Sequence, residues 1–168
     1  MRLLAFLIAL SASAVATVAA HAERNTFLIE RGQWTIANGP SACRALNRPP
    51  ADFNYAPYNG LQIVTRADNS IGVEVFFWPG ALTEGHDYRL KLDFTPGIAV
   101  TLDAHPTIGD YMLSAGDDAL TLWALFQKTS TLVASVDGEP RLNLSFALDD
   151  ISRVLTDLQN CERVLPKT

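Results

Sequence analysis

Apolar and polar residues trade places every second position along much of this chain, and only in two stretches does the spacing lengthen to that of a helix. Period-two alternation places successive side chains on opposite faces of a strand, so it predicts half-buried β-structure. Trp34 and Ile36, a turn at Asn38-Gly39-Pro40-Ser41, and then Ala42 to Asn47 read as a first hairpin. Leu61, Ile63 and Thr65 alternate with polar Gln62 and Arg66; after Asp68-Asn69, Ile71, Val73, Val75 and Phe77 share one face, which predicts a second hairpin. The cleanest strand is Tyr88 to Phe94: Tyr88, Leu90, Leu92 and Phe94 face one way, and Asp87, Arg89, Lys91 and Asp93 the other. Ile98, Val100 and Leu102 continue the pattern, and Leu132 to Val136 with Arg141 to Phe146 flank the turn Asp137-Gly138-Glu139-Pro140.

Two segments depart from alternation. Ala119 to Lys128 follows Asp117-Asp118, and Ile151, Val154, Leu155 and Leu158 follow Asp149-Asp150 at helical spacing. Both acidic pairs read as residues that complement a helix dipole rather than as acid–base catalysts. Cys161 stands three positions beyond Leu158 and so extends the second helix's buried stripe. The expected fold is mainly β: an antiparallel sandwich of about seven or eight strands with one or two packed helices.

The amino terminus changes the picture. Arg2, the apolar run from Leu3 to Leu10 and the small-x-small tripeptide Ala20-His21-Ala22 have the anatomy of a secretory leader, so residues 1–22 read as a cleaved signal peptide and 23–168 as one β-rich domain. Cleavage would leave no stable membrane insertion. An oxidising compartment and an even cysteine count pair Cys43 with Cys161, tying the terminal helix to the first hairpin. The two sulfurs are far apart in sequence and lack the Cys-x-x-Cys spacing of a redox pair, so the bridge reads as structural. Loss of the leader takes one basic residue, Arg2, from the thirteen, leaving 12 against 18 acidic residues and a formal charge of −6. The basic residues are scattered, so nucleic acid is excluded as a partner. The expected location is the periplasm or the secreted fraction.

Trp34-Thr35-Ile36, Cys43-Arg44-Ala45, Leu142-Asn143-Leu144-Ser145-Phe146 and the helix ending at Cys161 together resemble small exported bacterial proteins of the invasion-associated locus B type. The resemblance implies a β-sandwich with a packed helix, residence in a Gram-negative envelope, and roles in host-cell invasion or at the cell surface. It brings no catalytic residues with it.

Sites for chemistry are sparse. His86 in Glu84-Gly85-His86-Asp87 and His105 in Asp103-Ala104-His105-Pro106 each have a carboxylate two residues away, but both read as solvated turn residues, and no metal or cofactor site is assigned. No Gly-x-Ser-x-Gly elbow, Ser-x-x-Lys or glycine-rich phosphate loop is present, and no catalytic residue is assigned. The most suggestive stretch is Arg48 to Gly60, proline-stiffened, in which Phe53, Asn54, Tyr55 and Tyr58 offer flat faces and hydrogen bonds to a peptide or sugar, with Trp78 as a candidate neighbour. The expected function is that of a non-catalytic binding protein whose partner is a protein or glycan of the cell envelope. An enzyme inhibitor or immunity-type protein is the first alternative, and a cryptic hydrolase the second.

Overall fold

A computed structural model describes residues 27–47, 59–66, 68, 70–117 and 119–165. Among them ten strands form one antiparallel sheet, with two helices. The strands are β1 (Leu28–Arg31), β2 (Trp34–Asn38), β3 (Ala42–Asn47), β4 (Gly60–Arg66), β5 (Ile71–Phe76), β6 (Tyr88–Phe94), β7 (Ile98–Ile108), β8 (Met112–Asp117), β9 (Thr131–Val136) and β10 (Glu139–Ala147). The helices are α1 (Ala119–Phe126) and α2 (Ile151–Glu162). The spatial order is β1-β2-β3-β4-β5-β8-β7-β6-β9-β10. Five strands meander, the chain skips two places to β6, hairpins return it through β7 to β8 beside β5, and α1 carries it across to β9 on the far side of β6.

The expected two-sheet sandwich is therefore corrected to a single sheet, and seven or eight strands to ten. Alternation reports that one face of each strand is buried; it does not report whether the opposing wall belongs to a second sheet or to the same sheet bent round. Here one sheet bends round. Side chains of the first strands and their turn reach carbonyls at the end of the last strand and just past it: the amides of Gln33 and Asn47 donate to Ala147 O at 2.7 and 2.9 Å, and Trp34 Nε1 donates to Asp149 O at 3.0 Å. One continuous core runs from Trp34 and Ile36 through Ile63, Val73, Leu90 and Leu113 to Phe146.

Both helices pack on this inner face. Phe126 of α1 meets Phe94 of β6 edge-on at 5.2 Å. In α2, Ile151, Val154, Leu155, Leu158 and Cys161 are buried, as the helical spacing predicts, and Cys161 is bonded to Cys43 of β3 with the Cα atoms 6.0 Å apart. Arg31 Nε adds a second tie, donating to Asp157 Oδ2 at 2.7 Å, and that carboxylate holds the guanidinium above its ordinary pKa. Asp150 stands at the N-cap of α2, at the helix start as the acidic pair predicts, but makes no side-chain cap bond. The residue sits in the left-handed region (φ 58°), and its contribution is the backbone carbonyl, which accepts from the N–H groups of Arg153 and Val154. Asp118, half of the other acidic pair, lies outside the described residues.

Candidate interaction surface

The sheet's outer face has two unlike halves. Cys43, Ile63 and Val73 face the core, so the alternate residues Leu46, Val64 and Phe76 point outward, yet all three are buried. Gln62 and Glu74, directly opposite each other on β4 and β5, are buried on the same face, where the Gln62 amide donates to a Glu74 carboxylate oxygen. The polar position Gln62 of the alternation is thus buried like its apolar neighbours. Across β6 and β7 the outer face is polar and solvated: Arg89 pairs with Asp103 at 3.6 Å and Lys91 with Asp93 at 2.9 Å.

Leu46, Phe76 and Met112 form a small apolar cluster separate from the main core, with half-buried Tyr111 packed against it. Register explains the grouping. Phe76 stands opposite Met112, and Met112 opposite Ile108, so all three share the outer face. Two positions beyond Phe76 the chain reaches Trp78. Ile108, opposite Met112 in register, and Trp78, two residues beyond Phe76 in the chain, flank this cluster at 50 % and 39 % exposure.

Trp78 is held rather than free. Phe77, fully buried, donates its N–H to Tyr111 O at 2.7 Å and meets the Trp78 ring edge-on at 6.2 Å. A tight turn follows, in which Ala81 N–H donates to Trp78 O and Gly80 takes φ +77°, a conformation that favours glycine. Buried Leu82 then donates its N–H to Asp110 O at 2.8 Å, and Thr83 N–H reaches the Tyr88 hydroxyl at 2.8 Å. The β5–β6 connection is thereby fastened to the β7–β8 turn. Glu84, Asp87 and Asp110 are exposed on these two segments, and residues 77–88 and 105–114 contain no lysine or arginine.

Of the residues read from sequence, Phe53, Asn54, Tyr55 and Tyr58 lie outside the described residues. The described flank of their segment, Gly60, stands opposite Phe76, at the end of the sheet from which Trp78 projects. Ile108, Asp110, Tyr111 and Met112 are not singled out by the sequence pattern; the available signal is the Gly109-Asp110 turn between two runs of strand-like residues. His105 proves to be a strand residue rather than a turn residue, and its Nδ1 lies 2.7 Å from Asp87 Oδ1. Ser114 stands opposite His105 in register, so a hydroxyl on β8, an imidazole on β7 and the carboxylate of Asp87, just before β6, follow one another. Among the described residues no hydrogen bond joins Ser114 to His105, and the His105 and Asp87 side chains are 63 % and 84 % exposed, open to screening by water. His86 stacks edge-on against Tyr88 at 4.6 Å. Among the described residues no three His, Cys, Asp or Glu side chains group so as to hold a metal ion.

No family model matches the sequence, and no curated protein does. Solved structures do. The crystal structure of invasion associated protein B from Bartonella henselae superposes with a TM-score of 0.60 at 18% identity, over 81% of this chain and 98% of that one. The two chains share a fold. The resemblance read from Trp34, Cys43 and the terminal helix is thus found again in the backbone, at an identity that speaks for the fold alone.

Proposed function

We propose that the protein is an exported, non-catalytic interaction protein of a bacterial envelope and that it contacts its partner through the surface around Trp78 and Ile108. The observation that carries this reading is the exposed flank of the outer-face apolar cluster. Two large apolar side chains are exposed there, Trp78 on a backbone-bonded connection and Ile108 at the end of β7, although the neighbouring outward residues Leu46, Val64, Phe76 and Met112 are buried. Exposed aromatics in a pre-ordered setting suit binding, because little side-chain freedom is lost on contact. Export is supported by the leader pattern of residues 1–22 and by the Cys43–Cys161 bridge, which suits an oxidising compartment. The name of the structurally similar Bartonella protein favours a host-facing role.

The test is capture from envelope extracts with the wild-type protein and with Trp78→Ala. A partner enriched by the wild type and lost with Trp78→Ala supports the reading, whereas equal capture by both overturns it. An enriched enzyme inhibited by the wild type would assign the inhibitor role instead. The Ser114, His105 and Asp87 row gives the hydrolase reading its one specific observation; hydrolysis of an activated ester abolished by His105→Ala would support it, and an unchanged background rate would remove it.

A further inference from the structure

We infer that the partner engaged by this surface presents a basic segment carrying an apolar side chain, an inference that rests on the interaction reading above. The apolar part of the contact is Trp78 and Ile108. Charge selects the occupant: Asp110, whose carbonyl accepts from Leu82 N–H, stands two residues beyond Ile108, Glu84 and Asp87 are exposed on the connection that carries Trp78, and neither segment that builds this rim supplies a lysine or arginine. Asp87 is partly engaged by His105, while Glu84 and Asp110 face solvent without an ion pair among the described residues. Elsewhere on the outer face Arg89 and Lys91 each have a nearby carboxylate, so the sheet's exposed charges are balanced there and unbalanced here. An arginine or lysine side chain can lie over the Trp78 ring and reach a rim carboxylate, which joins a cation–π contact to an ion pair. A neutral or acidic segment would lack the second interaction and leave the carboxylates facing apolar surface.

The probe is a short fluorescently labelled peptide alternating arginine and leucine, titrated into the folded full chain and followed by anisotropy, with a glutamate–leucine peptide as its counterpart. The basic peptide should bind, and more weakly as salt rises; the acidic one should not. Trp78→Ala should weaken binding about tenfold or more. Glu84→Gln with Asp110→Asn should weaken it about threefold to tenfold. Glu30→Gln with Asp149→Asn, which removes the same net charge from β1 and the start of α2, away from β5, β7 and β8, should leave it unchanged. Equal weakening by the two double variants, binding of both peptides alike, or no binding of the basic peptide would overturn the inference. Circular dichroism confirms that each variant is folded. If the basic peptide fails to bind while capture from extracts remains sensitive to Trp78→Ala, the interaction reading stands and only the basic character of the partner falls.

Discussion

The outer face of β3 to β5 and the outer face of β6 and β7 come from one sheet and share one strand geometry, yet they differ in what they keep from water. On β6, each inward Leu90 or Leu92 is answered by an outward Arg89, Lys91 or Asp93, and the charges are solvated. On β4 and β5 both faces are buried, which is why Gly60 to Thr65 and Ile71 to Phe77 read as almost continuous apolar runs broken only by Gln62 and Glu74. The contrast shows that strand alternation is a statement about one wall of a sheet. The second wall can be dry, and Trp78 and Ile108 are exposed at one of its margins.

The largest effect expected separates the halves through the disulfide. The bridge closes a sequence separation of 118, and α2 packs on β2, β3 and β4, so Cys43→Ala with Cys161→Ala should cost about 2–5 kcal/mol in chemical denaturation. Hydrogen exchange should then quicken in α2, β2 and β3 before β6 and β7; uniform quickening would erase the distinction. Val64 and Thr101 are both outward residues, one in each half, and make the comparison directly. Val64→Ala, at a site 1% exposed, should cost about 2 kcal/mol, and Thr101→Ala should stay within about 0.5 kcal/mol. Gln62→Ala deprives the buried Glu74 carboxylate of its amide partner and should cost about 1–2 kcal/mol, most of it recovered when Glu74→Leu is added.

The smallest effect lies in the β4–β5 turn. Asp68 accepts a hydrogen bond from Ser70 N–H at 2.9 Å, and bonds to Ser70 hold its carboxyl below the ordinary carboxylate range. A depressed native pKa contributes stability above the unfolded-state value and loses it as pH falls through the native one. The slight stability difference between wild type and Asp68→Asn should therefore be present at neutral pH and vanish in acid, as thermal melts across that range would show.

Much of the architecture is legible in the amino-acid pattern. The α2 stripe ending at Cys161, the β2–β3, β4–β5 and β9–β10 hairpins and the strict alternation of β6 all lie where periodicity places them, because each has a strong local signal. β8 escapes such a reading since Met-Leu-Ser-Ala-Gly-Asp has no β-branched residue, and β1 because a four-residue edge strand carries too short a pattern. The burial of Gln62 is hidden for another reason. Parity fixes which way a side chain points but not what lies in front of it. The candidate surface is half legible: Trp78 stands out, while Ile108 and Asp110 reach it from the end of β7 and the turn after it, about thirty residues further along the chain, through a strand order that no local pattern encodes.

The most direct test of this account is site-specific photo-crosslinking in the native host, with a benzophenone amino acid placed at Trp78 or, on the other half of the outer face, at Thr101. A discrete protein adduct from position 78 and none from position 101 is the predicted result. Adducts from position 101 with none from position 78 would contradict it.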